Sequence, residues 1–277
     1  MEREIWSALI LTVACVGLGW GIAIIATRFT RGHNSKRRFP SGDALAFVGG
    51  AFGIVLGLLL LFASQHFSDA REAARQEAVS VSALYDTLNP FPEQQRTELR
   101  HDVYCTLLAL QTDDWKAGEL HDVSGSENTH AWLATVQRAT ELLPQDADAT
   151  ASMHYFVNDN LLSLGKDRDL RLQLGLPEIP ASIWWLIFFS TVIFIFLLAL
   201  HMGPTRKITA VSIAATTLLL CVITATLAGL DNPYRGSIGT LSPVALETVT
   251  KTIQDSYPNE DFSPCPQLAE PVYENVL

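Results

Sequence analysis

His66 and Asp69 stand one helical turn apart, a spacing from which an imidazole and a carboxylate can hold a metal ion or respond to pH. The blander role for such a histidine is an amphipathic anchor where a helix leaves an apolar stretch. The other six histidines are His33, His101, His121, His130, His154 and His201. Of the four cysteines, Cys15 and Cys221 fall in apolar stretches, where a thiol is a small core residue, and Cys105 and Cys265 fall in polar ones. No C-x-x-C pair or cysteine–histidine zinc pattern stands out, so no metal site and no cofactor are expected. The chain has no G-x-S-x-G, H-E-x-x-H or G-x-x-x-x-G-K-[ST] motif, and its apolar stretches hold no carboxylate or histidine pair of the kind an intramembrane protease or proton pump needs. The sequence therefore points away from an enzyme, and no catalytic residue is assigned.

Composition explains what the chain is built for instead. Its 277 residues are 48% hydrophobic yet carry a formal net charge of -10, and the mean hydropathy is +0.21. Both hold when apolar residues lie in lipid and charges in water. The acidic balance excludes nucleic acid, which needs clustered cations to neutralise phosphates. One basic cluster stands out, Arg28, Arg31, Lys36, Arg37 and Arg38. It lies between two apolar stretches and reads as a topology signal or a lipid-headgroup contact.

A hydrocarbon core about 30 Å thick needs roughly 20 apolar residues in a helix. Four segments meet that length, at about 5–26, 44–67, 179–200 and 208–230, with no Asp, Glu, Lys or Arg in their interiors. The first begins Met-Glu-Arg-Glu without a net positive start and lacks an A-x-A-like site, so it reads as a retained span. The expected fold class is all-α: an integral membrane protein with two transmembrane hairpins, residues 1–67 and 179–230, and a helical aqueous domain, 68–178, between them. The loop 27–43 and the Arg206-Lys207 connection are basic, which places both in the cytoplasm and the central domain outside, in a bacterial inner membrane. That domain carries 19 Asp and Glu against nine Lys and Arg. Around the axis of an oligomer such a charge would concentrate cations and repel anions.

Small and apolar residues at Ala70, Ala74, Ala78, Val81, Tyr85 and Leu88 continue the second span as one helix into water until Asn89-Pro90-Phe91-Pro92. Further helices are expected over 92–115, 129–143 and 148–174, with a loop at Gly118–Asn128. After the fourth span, 231–256 should form a turn and a short helix, with Ser242 as hydroxyl N-cap and Pro243 at the first helical position. Its apolar face, Ala245, Leu246, Val249 and Ile253, needs a partner surface. The tail 257–277 reads as disordered. If the outside is oxidising, Cys105 and Cys265 share a compartment where a disulfide can persist, although sequence alone does not bring their α-carbons within bonding range.

Within the spans, Gly49, Gly53 and Gly57 recur every fourth residue, as do Gly17 and Gly21. Close van der Waals approach drives helix association in lipid, so these glycines mark packing faces, either within the hairpin or against another copy. The opposite face of the second span, Ala51, Val55, Leu58 and Phe62, suits a hydrophobic constriction that gates by dewetting. The hydroxyls of the fourth span read as packing bonds before a wet path. The third span, with Trp184, Trp185, Phe188, Phe189, Phe194 and Phe196, reads as lipid-facing.

Several stretches together resemble the bacterial four-span membrane family labelled bestrophin-like, a domain of unknown function. They are Phe-Gly-Ile-Val-Leu-Gly at 52–57, Asp69-Ala-Arg-Glu-Ala-Ala-Arg-Gln-Glu-Ala with Leu84-Tyr85, and Gly175-Leu176-Pro177. A further stretch, Leu230-Asp231-Asn232-Pro233-Tyr234-x-Gly236, continues into Leu241-Ser242-Pro243. The resemblance implies a four-span protein related to bestrophin channels, which place their large helical region in the cytoplasm, bind calcium through an acidic clasp and pass anions through a hydrophobic neck on the second span. Here the basic loops put the corresponding region outside, and no acidic cluster has calcium-loop spacing. The expectation is a homo-oligomer in the lipid bilayer that passes an inorganic ion. The rival is a non-conducting, membrane-anchored helical module that binds a partner or envelope component.

Overall fold

A computed structural model describes residues 17, 21, 41–141, 148–201, 206–235, 240–260 and 262–268. Arg28, Arg31, Lys36, Arg37, Arg38 and Gly236 lie outside the described residues, as does the first span apart from Gly17 and Gly21, both helical. The described residues form helices joined by turns. These are α1 (Ser41–Thr87), α2 (Glu93–Ala109), a π-helical turn (Leu110–Asp114), α3 (Trp115–Glu119), α4 (Glu127–Glu141), α5 (Asp148–Leu174), α6 (Ala181–His201), α7 (Arg206–Asp231) and α8 (Val244–Ser256). α1, α6 and α7 are long and apolar enough to cross a membrane.

The chain divides into two compact units. One gathers the chain up to His66 with Pro177–Asp231; the other gathers Phe67–Leu176 with Asn232–Arg235 and the chain from Thr240. α1 runs through both as one helix of 47 residues. At 1.5 Å per residue that is about 70 Å, far more than a bilayer core of about 30 Å requires. Its second half is therefore built for water, and the prolines at Pro90 and Pro92 follow its end.

In the membrane unit, Phe52, Leu56 and Ala63 of α1 pack with Ile187, Ile195 and Leu198 of α6 and with Ile213, Leu220 and Leu227 of α7. The Phe194 ring lies 6.4 Å from that of Phe52, and a Cβ built on Gly49 would meet its Cε2 at 2.7 Å. Gly49 is thus the glycine that α6 needs. The outer face of α6 presents Trp185, Leu186, Phe188, Phe189 and Ile193. On α7 the hydroxyls of Thr217, Thr224 and Thr226 donate to the carbonyls of Ile213, Leu220 and Val222 at 2.7, 2.8 and 2.8 Å. Their polar demand is met one turn back, inside their own helix.

The aqueous unit buries a larger core, in which Val81, Leu84, Tyr85 and Leu88 of α1 meet Val103, Leu107, Leu110, Val157 and Leu164. The face of α8 finds its partner there through Leu246 and Ile253. Its start differs from expectation: Pro243 is the N-cap, with no side-chain cap, and its carbonyl accepts from Glu247 N–H at 2.9 Å. The proline's fixed φ starts the helix without help from the Ser242 hydroxyl.

Other boundaries also shift. The helix expected to stop at Trp115 continues through the π-turn to Glu119, and α4 begins at Glu127. The larger correction concerns the first part of the tail 257–277, expected to be disordered throughout; residues 269–277 lie outside those described. Tyr257 and Glu260 close onto Arg100, whose guanidinium lies 5.0 Å from the Tyr85 ring centroid and 4.1 Å from that of Tyr257. The Phe262 ring lies 4.9 Å from Tyr104, and Leu268 N–H donates to Asn128 Oδ1 at 2.8 Å. Cys265 is joined to Cys105 across 160 positions, with α-carbons 5.5 Å apart. Prolines recur through this stretch, but its few aromatic and sulfur side chains decide its docking.

Gly49→Leu is expected to force the α6 contact apart and cost about 1–3 kcal/mol. Gly50→Ala, with no described atom within 4 Å of the added carbon, should be silent. Thermal midpoints of the detergent-solubilised variants decide the matter, and equal midpoints would contradict the Phe194 contact.

Candidate functional site

The faces of α1 in the membrane unit come first. Phe52, Leu56 and Ala63 turn toward α6 and α7, and two other faces are not covered by any of the described residues. Gly53 and Gly57 are exposed, and a Cβ on either, or on Gly17 or Gly21, would meet no described atom within 4 Å. On the other side Ala51 is exposed, and Val55, Leu58 and Phe62 are 37%, 50% and 59% exposed. Ala51 and Val55 also line a groove with Phe47, Val48, Phe52, Leu186 and Ser190. Positions 51, 55, 58 and 62 follow the i, i+4, i+7, i+11 series, so one continuous apolar stripe runs along the helix.

At the end of this unit the loop before α6 is held by Asp231, whose Oδ1 accepts from the N–H groups of Glu178 and Ile179 at 3.0 and 2.9 Å. His66 pairs with Glu178, Nδ1 to Oε2 at 3.3 Å, and not with Asp69. Sequence spacing favoured the neighbour on the same helix, whereas the fold brings in a carboxylate from the start of another segment.

The rest of the motif belongs to the aqueous unit. Pro233 is buried, and its carbonyl accepts from Leu241 N–H at 2.8 Å, which sets the turn leading into Leu241-Ser242-Pro243. Tyr234 packs edge-on against Trp115 at 5.0 Å and lies so close to Gly175 that a Cβ there would meet its Cε2 at 2.6 Å. Its hydroxyl oxygen accepts from Arg171 Nη1 at 3.4 Å.

Arg171 is the centre of a fully buried ionic cluster. Its Nε donates to Glu77 Oε2 at 2.6 Å, its Nη2 to Asp114 Oδ2 at 2.6 Å, and its Cζ lies 5.2 Å from the Trp115 ring centroid. Arg168 forks onto the same Asp114 carboxylate at 3.0 and 2.7 Å, and Ser126 N–H adds a bond of 2.8 Å. The π-turn, whose wider winding re-aims side chains, ends at Asp114, which it directs into the core. Gly125, at φ 73°, allows the adjoining loop to pass where any side chain would strike Arg168 and Asp114. Two guanidinium groups balance two carboxylates, so the cluster is neutral as a whole. Sequence reasoning missed it. The available signal was Glu77, which falls among Ala74, Ala78 and Val81 on the face read as apolar, and Arg168 and Arg171, one turn apart on α5.

Fold and site together define an all-helical membrane protein that makes apolar spans and an ionically pinned aqueous unit from one chain. The chain belongs to the bestrophin-like family, whose domain model matches residues 13–245. Crystal structures of a bacterial bestrophin homologue from Klebsiella pneumoniae share the fold. A tryptophan-to-alanine mutant matches with a TM-score of 0.72 at 14% identity, covering 90% of this chain and 97% of that one. An aspartate-to-alanine mutant matches with a TM-score of 0.71 at 14% identity, covering 91% and 99%. A membrane protein carrying a proline-to-alanine change matches with a TM-score of 0.69 at 16% identity, covering 88% and 97%. No curated protein matches the chain.

The two carboxyls of the cluster, both beyond the span, are shifted in opposite directions. Burial opposes ionisation of Asp114, but the charge of Arg171, the Arg168 bonds and Ser126 hold its carboxyl below the ordinary range. At Glu77 burial prevails over the attraction of Arg171 and raises the carboxyl, and its Oε1 is buried without a hydrogen-bond partner among the described residues. The lowered Asp114 value gives stability that is complete above the unfolded-state value of about 3.9 and lost as pH falls through the folded-state value. The raised Glu77 value gives stability complete below about 4.3 and lost as pH rises through its folded-state value. Asp114→Asn should cost about 3–5 kcal/mol at neutral pH, because Arg168 and Arg171 are left buried with too little opposing charge. Glu77→Gln should cost less and flatten the decline of stability with rising pH. Thermal midpoints measured between about pH 4 and 8 test both, and equal damage by the two substitutions would contradict the opposed shifts.

Proposed function

We propose that this chain forms a homo-oligomeric ion channel in a bacterial inner membrane, with α1 against the central axis and Ala51, Val55, Leu58 and Phe62 as its hydrophobic constriction. The observation that carries this reading is the stripe itself: an apolar face that the described residues of its own protomer leave uncovered, on the span that also holds Gly53 and Gly57, which meet no described atom. Lipid could cover that stripe, but lipid does not reach the aqueous unit. There Val79 of α1 and Tyr155, Phe156, Leu162 and Leu170 of α5 are 47–68% exposed. Apolar side chains of this size facing water are covered well by a second copy of the same chain. Membership of the bestrophin-like family and the shared fold of the Klebsiella homologue support the channel class.

The aqueous unit is assigned to the extracytoplasmic side. The basic loop before α1 supports this by the positive-inside rule, and the Cys105–Cys265 disulfide supports it because such bonds persist in oxidising compartments. The acidic excess of residues 68–178 then forms a vestibule that favours cations, an effect screened over about 8–10 Å at physiological salt.

Two measurements check this reading. In planar bilayers with asymmetric KCl, the purified oligomer is expected to prefer cations at low ionic strength, with the preference fading as salt rises. Chloride preference would remove the acidic vestibule, and an intact oligomer without current would leave the non-conducting module. For orientation, single cysteines introduced by Ser35→Cys and Val123→Cys in a cysteine-free background are exposed to an impermeant thiol reagent in whole cells. Label is expected at position 123 alone, and the reverse pattern would place the aqueous unit in the cytoplasm.

A further inference from the structure

His101 and Cys105 stand four residues apart on α2, so their side chains leave the same face of one helix. His101 Nε2 lies 3.6 Å from Cys105 Sγ. Cys265 arrives from the C-terminal segment, and the ligand-capable atoms of the three residues all lie within 4.8 Å of one another. Cys105 is buried, His101 and Cys265 are half-buried, and Ala109 and Trp132 form an apolar wall beside the cysteines. In the structure the two sulfurs are bonded to each other.

We propose that when this disulfide is reduced, Cys105, Cys265 and His101 bind one thiophilic metal ion of the zinc class, with the fourth position open. The spacing is the argument. A tetrahedral ion with bonds of about 2.3 Å to sulfur and about 2.0–2.1 Å to nitrogen sets its sulfur and nitrogen ligands about 3.6 Å apart. Cys105 and His101 already have that separation. Only the Cys265 sulfur must withdraw, from bonding distance to the sulfur–sulfur edge of about 3.8 Å that follows from the same bond lengths. A side-chain rotation on the C-terminal segment supplies such a shift.

The chemistry balances in two steps. A dithiol reductant gives two electrons and two protons to the disulfide, leaving two thiols and its own cyclic disulfide. The metal then takes both sulfurs as thiolates and the imidazole as a neutral ligand, with release of two protons. Residue 265 stays tethered to α2 in both states, first through sulfur and then through the metal. The redox poise of the compartment decides which tether is present. This inference stands on the aqueous unit alone, so its failure leaves the channel reading untouched.

The test uses the full-length protein in detergent, oxidised or reduced with a phosphine, which ends as phosphine oxide and leaves no competing thiol. After anaerobic exchange, Co2+ is added and sulfur-to-cobalt charge-transfer absorption is read; Zn2+ per chain is then measured by mass spectrometry. About one metal per reduced chain is expected, and none above background on the oxidised chain. Cys265→Ser should abolish stoichiometric binding. His101→Gln should weaken it at least about tenfold while still forming the disulfide on oxidation, seen as unchanged non-reducing mobility. A reduced chain that takes no metal, equal loading of the oxidised chain, or undiminished binding in both variants would overturn the proposal.

Discussion

The bidentate grip of Arg168 on Asp114, joined by a single bond from Arg171 and extended through it to Glu77, is the constraint on which the aqueous unit depends. Burying four charges is costly, and the interior tolerates them only because each finds an opposite charge at hydrogen-bonding distance. The partners come from separate elements: Glu77 from α1, Asp114 from the π-turn and both arginines from α5. A core of leucines could be repacked in several ways, but a charge network of this geometry is satisfied in one. Local oddities follow from it. The π-turn directs Asp114 inward, the left-handed Gly125 clears space for the Arg168 guanidinium, and Tyr234 needs Gly175 bare to reach Arg171.

The same unit shows how far a short tail can matter. Arg100, nearly buried between two tyrosine rings, takes its carboxylate from Glu260. Cys265 bonds Cys105 on α2. The C-terminal segment thereby supplies an opposite charge, an aromatic face and a covalent link to a surface that α1 and α2 leave unfinished. Order in this stretch comes from a few specific side chains rather than from any helical or extended propensity.

The membrane unit follows a different logic. Phe52, Leu56 and Ala63 give α1 one face for α6 and α7, and two faces remain that no described residue covers. The bare glycines offer close approach; the apolar stripe offers a surface that repels water from a narrow path. In lipid neither face is driven into contact by the hydrophobic effect, so what covers them is set by shape.

Much of this architecture is determined by the sequence alone, because its signals are local. Runs of apolar residues have to be as long as the bilayer is thick, three-to-four periodicity carries α1 beyond the span, and Pro90 and Pro92 follow its end at Thr87. The starts of α1, α6 and α7 fall within about three residues of the expected span starts, as boundary assignments allow. The stripe at Ala51, Val55, Leu58 and Phe62 was also legible, since it repeats with the helix. Tertiary structure decided the rest. His101 and Cys105 are an unremarked pair until Cys265 arrives from 160 positions away, and Glu77 is a misplaced charge until Arg171 meets it across 94. His66 looked toward Asp69 and found Glu178. Periodicity fixes which face a residue occupies, but the partner of a charge or a thiol is set by chain folding over distances that no local pattern records.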